Sequence, residues 1–148
     1  NPHRIMRALE ICIGSGKTYS EFKNKPKEPR NFNVIKVGLT ADREIIYNRI
    51  NQRVDVMIEN GLVEEAQNLH QHKELNALQT VGYRELFSFF EEDFTKEFAI
   101  GEIKKNTRRF AKRQITWFKR DEKTLWFDYK SDIEKIINEV ENSIKNER

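Results

Sequence analysis

A single cysteine among 148 residues, Cys12, leaves no internal disulfide to form, and a reducing, cytoplasmic setting is the expected one. Three histidines, His3, His70 and His72, do not combine with cysteine at zinc-binding spacing, which argues against a structural zinc site. No apolar run approaches the ~20 residues that cross a bilayer, and no stretch has the zones of a signal peptide, so no membrane partner is expected. No His, Cys or Ser sits in a nucleophile arrangement, and no acidic pair stands out for acid and base work. The residues support binding of anions and supply no catalyst of their own.

What the chain does have is charge. Charged residues make up 34% of it against 37% apolar, the balance of a soluble, helix-rich domain with much solvated surface, and the length is enough for one real core. A net charge of +3 hides an uneven distribution. Eight basic residues lie between Lys104 and Arg120 with no acid among them, and the other 19 are outnumbered by 24 acids. Positive charge gathered in one place points to a local anionic partner. The chain opens at Asn1, in what reads as a helix cap, and is expected to be a piece of something longer.

The stretch ICIGSGKTYS, Ile11 to Ser20, closes as a phosphate-binding loop closes, with Gly16, Lys17 and Thr18. Such a loop needs another glycine where Ile11 stands, and a strand leading in. The residues before it read instead as a helix, with Asn1 as cap, Pro2 at the first helical position and Ile5, Leu9, Cys12 and Ile13 on one stripe, halted by Gly14 and Gly16. The segment from Lys23 to Arg30 is basic and proline-broken, a candidate boundary between two units.

Beyond it, Asn33 to Leu39 has the β-branched, apolar composition of a parallel strand buried on both faces, and Thr40 would cap a long helix that Gly61 ends. A short helix carries Leu62, Ala66 and Leu69. The segment Asn76 to Gly82 reads as a loop. The next helix has Leu86, Phe87 and Phe90 as its core face, and another runs from Thr95 to about Phe118. Thr124 to Asp128 is a second strand. Ser131 and Glu134 form a capping box for a last helix whose apolar face is Ile133, Ile136, Ile137, Val140 and Ile144. The order implies an α/β, predominantly helical fold, and its two parallel-type strands want further neighbours.

Three groups of residues could carry function. On the Thr95 to Phe118 helix, Lys104, Arg108 and Lys112 form one row and Lys105, Arg109 and Arg113 the next, with Ile103, Phe110 and Phe118 opposite. Four like-charge pairs at i,i+4 cost about 0.2–0.5 kcal/mol each without partners; a polyanion such as a phosphate backbone, or acidic helices elsewhere in the fold, would reverse that sign. Gln114 falls within the apolar stripe, where a buried amide must either tie down backbone or meet a nucleobase edge. Arg49 and Arg53 share the inward arc of the long helix and have no carboxylate three or four residues away, which suits a phosphate ligand, a distant ion pair or exposure to water. The loop Ala77 to Tyr83 offers Gln79, Thr80, the Tyr83 ring and Gly82, and an ordinary helix entry explains it equally well.

In their order and spacing, NPHRIMRALEICIGSGKT, YNRINQRVDVMIENGLVEEA, QTVGYREL and TRRFAKRQITWF resemble motifs of the bacterial tRNA dimethylallyltransferases, also called tRNA isopentenyltransferases. The resemblance spans nearly the whole chain, and its most specific part is Ala111 to Phe118. It implies transfer of a dimethylallyl group from its diphosphate to the exocyclic N6 amine of the adenosine just 3′ of the anticodon, with Mg2+ as cofactor. The implied fold is a nucleotide-binding, P-loop-kinase-like core of which only part is present. Residues 1–30 would end a helical insertion that grips tRNA, and 31–148 would return to the core.

By position in these motifs, Arg53, with Arg49, would contact the diphosphate. Asn1, Pro2, His3, Arg4 and Ile5 would line the path of the anticodon stem-loop, together with Ala77, Leu78, Gln79, Thr80, Val81 and Gly82. The third RNA-lining run is Phe110, Ala111, Lys112, Arg113, Gln114, Ile115, Thr116 and Trp117. His3 stands where many relatives carry arginine. The phosphate loop and the general-base aspartate would lie upstream of Asn1, so this stretch alone should be inactive, while the complete enzyme is expected to act as a monomer. Two other readings remain open on the same residues: a non-catalytic helical RNA-binding module, and a small-molecule kinase fragment should Gly16 to Thr18 bind nucleotide.

Overall fold

A computed structural model describes residues 2–23 and 31–146, which fall in two compact units, Asn1–Val34 and Ile35–Arg148. In the first unit α1 (Pro2–Ser15) is followed by the short α2 (Tyr19–Lys23). Pro2 occupies the first helical position, where its missing N–H costs nothing. Gly16 ends the helix at φ 68°, donating its N–H to the Cys12 carbonyl at 2.9 Å, as a left-handed glycine cap does. Ile5, Leu9 and Ile13 are exposed and Cys12 is half-buried. Asn1 and the connector residues 24–30 lie outside the described residues.

The second unit begins with β1 (Lys36–Thr40) and continues through α3 (Arg43–Glu59), α4 (Leu62–Leu69), α5 (Tyr83–Phe90), α6 (Lys96–Phe118), β2 (Thr124–Asp128) and α7 (Ile133–Asn146). The strands pair in parallel, Lys36 opposite Thr124 and Thr40 opposite Asp128, with the helices between them as the crossover. Gly38 faces Trp126 across the pair, and a Cβ there would lie 2.7 Å from the indole ring. The core sits among the crossover helices: Val54 of α3, Leu62 and Ala66 of α4, Leu86 and Phe87 of α5, and Ile103 of α6. A side chain as fully buried as Leu86 contributes about 1.5–3 kcal/mol by leaving water.

Several local expectations are corrected. β1 starts at Lys36, and it is not buried on both faces: Val37 and Leu39 are exposed, because among the described residues β2 is its one strand neighbour. Thr40 ends the strand and does not cap α3; Asp42 holds the cap position, without a side-chain cap bond. At α7 it is Asp132, two residues before Glu134, whose carboxylate accepts the Glu134 N–H at 3.0 Å, displacing Ser131 from the capping role. Ile133, Ile137 and Ile144 of that helix are exposed among the described residues. By contrast Thr95 caps α6 as expected, accepting from the Phe98 N–H at 3.2 Å, and Gly61, at φ 95°, follows the end of α3.

One buried charge organises the unit. Glu85, 8% exposed, accepts from the Gly82 N–H at 2.8 Å and from the Asn106 amide at 2.8 Å. Gly82 is at φ 109°, a conformation that side chains rarely adopt, and the carboxylate holds that turn against α6. Glu85→Ala would leave both donors without their acceptor and is expected to cost about 1–3 kcal/mol in urea unfolding, with Glu85→Gln, which keeps one acceptor oxygen, losing less. Equal losses for the two variants would show that packing, not these bonds, sets the cost.

Candidate anion and nucleic-acid interface

The ending Gly16-Lys17-Thr18 is not a phosphate cradle. Its three backbone N–H groups, which would have to point at a ligand, donate to the Cys12 carbonyl at 2.9 Å, the Ser15 hydroxyl at 3.2 Å and the Glu21 carboxylate at 3.0 Å. The Thr18 hydroxyl is bonded to Glu21 as well, at 2.9 Å. A helix, not a strand, leads in, and the small-molecule kinase reading loses its basis.

Along α6 the basic rows divide into two regimes. At the N-terminal end Lys104 pairs with Asp55 of α3 at 2.5 Å, and Lys105 pairs with Glu102 one turn away. Arg108 donates to the Asn51 side chain of α3 at 2.6 Å and lies over the Tyr47 ring. Past it the compensation stops. Arg109 reaches only the Asn106 amide oxygen, at 3.4 Å, and Arg113 lies over the Phe110 ring, 5.9 Å from its centroid. Among the described residues no carboxylate pairs with Arg109, Lys112, Arg113, Lys119 or Arg120. Asp121, the first acid after the run, is taken by Lys36 of β1 and by the Lys123 N–H, and these bonds hold its carboxyl below the usual range.

This uncompensated half of α6 is also the half that leaves the core. Ala99 and Ile103 are buried, whereas Phe110, Trp117 and Phe118 are exposed, Trp117 by 65%. Gln114, expected inside the apolar stripe, is exposed, since α5 covers the stripe only near Ile103 and nothing described covers it beyond. Arg109, Lys112, Arg113, Thr116, Trp117 and Arg120 together line a surface recess of about 480 Å3 with no acid in it. Four cations beside an indole are a surface on which a phosphate chain and an unstacked base can both settle.

Arg49 and Arg53 are both exposed, not half-buried as their arc suggested; the inward face of α3 is centred on Val54. Arg49 lies over the Tyr129 ring at 5.3 Å, and among the described residues no carboxylate pairs with either arginine. In the loop, Gln79 is exposed and donates its amide N–H to the Lys73 carbonyl at 2.6 Å, which ties the side chain to backbone. Ala77, Thr80 and Val81 are exposed, Leu78 is half-buried and Gly82 is buried. Tyr83 is not a free stacking ring: it stacks on Phe87, and its hydroxyl donates to Glu65, the main reason its pKa is raised, with burial and the Glu65 charge adding to it. Pro2, His3, Arg4 and Ile5 are exposed on α1.

Within the second unit, Ala111, Lys112, Ile115 and Thr116 come together with Thr40, Ala41, Arg43, Ile46 and Tyr47 around one cleft, which Arg49 and Arg53 do not line. Sequence patterning missed Arg43 and Tyr47, which read as an ordinary first turn until α6 is packed against them. No group of three or more His, Cys, Asp or Glu among the described residues is placed to hold a metal ion, and no described helix is long and apolar enough to cross a membrane.

Comparison with known proteins gives one answer. The IPP transferase family model matches residues 1–121. The chain is 66% identical over 145 residues to a tRNA dimethylallyltransferase of Flavobacterium psychrophilum, covering 98% of this chain and 47% of the relative. It is 59% identical over 144 residues to that of Christiangramia forsetii, covering 97% and 48%. The chain thus spans about half the length of the curated relatives it matches. Among solved structures it superposes on the tRNA isopentenylpyrophosphate transferase of Bacillus halodurans with a TM-score of 0.69 and 37% identity, over 99% of this chain and 45% of that one. A eukaryotic dimethylallyltransferase captured acting on tRNA gives a TM-score of 0.73 at 25% identity, over 99% and 41%. With four-fifths of its length matched by one family model, the chain belongs to the IPP transferase family.

Proposed function

We propose that these residues work within a tRNA dimethylallyltransferase, which moves a dimethylallyl group from its diphosphate to the N6 amine of the adenosine 3′ of the anticodon. The amine nitrogen attacks the allylic carbon, the carbon–oxygen bond to the diphosphate breaks, and the amine gives up a proton. The base that takes it is assigned to the part of the enzyme this chain does not match. Residues 1–30 belong to a helical insertion on the tRNA side and 31–148 to the catalytic core. The observation that carries the reading is the acid-free, ring-bearing half of α6, joined to relatives that are named for this reaction.

Three regions divide the work. Lys112, Arg113, Gln114 and Trp117, on the exposed half of α6, meet the anticodon stem-loop, with the backbone supplied by Phe110, Ala111, Ile115 and Thr116. The loop Ala77–Gly82 and the start of α1 contribute further RNA contacts. Arg53 and Arg49, with no acid partner among the described residues, face the diphosphate, whose charge grows as it leaves; a guanidinium placed there lowers the barrier because it binds the departing charge more strongly than the intact donor. Among the described residues no acidic cluster fits the Mg2+ that the family resemblance implies, and the charge these residues bring to the diphosphate is that of their guanidinium groups. The uncompensated cations favour this reading over a bare RNA-binding module only through Arg53, which makes that residue the discriminating one.

In the full-length enzyme, Arg53→Ala is expected to lower kcat/KM for the prenyl diphosphate by about 100-fold, as loss of one charge-stabilising donor does, with the Kd for tRNA nearly unchanged. Steady-state kinetics and filter binding read the two quantities, and equal loss of both counts against the assignment. Replacing Arg109 and Arg113 together with alanine should weaken tRNA binding and make its dependence on log salt shallower by about 1 per phosphate no longer met; an unchanged slope removes this helix from the RNA interface.

A further inference from the structure

The end of β1, the start of α3 and the outer end of α6 with Lys119 just past it line a cleft of about 260 Å3. Three cations line it, Arg43, Lys112 and Lys119, together with Thr40, Tyr47 and Thr116 and no carboxylate; the Thr116 hydroxyl donates to the Lys112 carbonyl at 2.9 Å. None of these cations has an acid partner among the described residues. Asp42 and Glu44 flank Arg43 in sequence, yet neither lines the cleft; Glu44 lines a separate recess with Arg108 and Asn51.

Part of this arrangement is already set. The Arg43 Nε donates to the Tyr47 hydroxyl at 2.9 Å, and its guanidinium lies 5.0 Å from the centroid of that ring. Arg108 lies 5.8 Å from the centroid of the same ring and is itself tied to Asn51 at 2.6 Å. Tyr47 is thereby fixed by two arginines from two helices, and Arg43 is held where the cleft needs it. Three like charges around a small hollow repel one another, and a single carboxylate ligand has too few oxygens and too little charge to answer all of them. A phosphate group has both, and the remaining lining of Ala41, Ile46, Ala111 and Ile115 leaves room for an apolar or flat group attached to it.

We propose that this cleft is a phosphate-binding site in its own right, distinct from Arg49 and Arg53, which do not line it. The inference rests on the proposed transferase function for the source of the phosphate, which is either the RNA backbone or the diphosphate donor; the chemistry of recognition is the same.

The test uses the full-length enzyme with Arg43→Ala and Lys119→Ala combined, leaving Lys112 in place. Binding of inorganic pyrophosphate is measured by calorimetry and binding of an anticodon stem-loop RNA across a salt series. Removal of two charged hydrogen-bond donors is expected to weaken one ligand by about tenfold or more. Weaker RNA binding with a salt slope shallower by about 1 to 2 and unchanged pyrophosphate binding identifies the RNA backbone. Weaker pyrophosphate binding with an unchanged RNA slope identifies the donor, and weakening of both at an unchanged melting temperature means that both reach the cleft. Should the double variant melt early, Lys119→Glu alone, at an exposed position, is expected to act in the same direction. Unchanged affinity for both ligands overturns the proposal. If Arg53→Ala and the Arg109/Arg113 variant still show their expected effects, only the cleft is lost; if all three variants behave as wild type, the transferase reading falls with it.

Discussion

The arrangement depends on where the acids run out along α6. Asp55 and Glu102 neutralise Lys104 and Lys105, and Asn51 holds Arg108. The Asp55 and Asn51 contacts dock the inner half of the helix on α3, the Glu102 pair lies within α6, and together they relieve the repulsion its i,i+4 pairs would otherwise suffer. The next acid in the chain, Asp121, is committed to Lys36. The outer half of α6 and the two residues just past its end therefore carry Arg109, Lys112, Arg113, Lys119 and Arg120 with no answering carboxylate among the described residues. One helix is divided in two: its inner half is paired within the fold, and its outer half carries cations that no described acid answers.

The core makes that division possible. Val54, Leu62, Ala66, Leu86, Phe87 and Ile103 pack α3, α4 and α5 together with the inner half of α6 and reach no further along it. Glu85 then fastens the turn at Gly82 to Asn106, and Asn106 in turn accepts from Arg109. The loop Ala77–Gly82 and the first uncompensated cation of α6 are thus joined by three consecutive hydrogen bonds through a buried carboxylate. Two regions assigned to the RNA are held in a fixed relation by a buried residue that belongs to neither.

Local signals in the sequence carried the elements well where one residue sets the outcome. Thr95 as a cap, Gly61 and Gly16 as stops, Pro2 as an opener and the apolar faces of α4 and α5 all act through neighbours a few residues away. The false phosphate loop was legible for the same reason: Ile11 cannot replace a glycine. Burial was harder to read. Gln114, Arg49 and Arg53 were placed inward by helical phase alone, but phase fixes which residues share a face and not whether another element covers it. The cleft at Arg43, Tyr47 and Lys119 was invisible for a related reason, since its lining comes from α3 and α6, which lie far apart in the chain and meet only when folded.

The partition of charge along α6 can be read directly by lysine acylation of the full-length enzyme, with and without an anticodon stem-loop RNA, followed by mass spectrometry. If the outer half of the helix meets phosphate oxygens, bound RNA slows modification of Lys112 while Lys104 and Lys105, already paired with Asp55 and Glu102, react at the same rate in both states. Protection of Lys104 and Lys105 with Lys112 unaffected would contradict it.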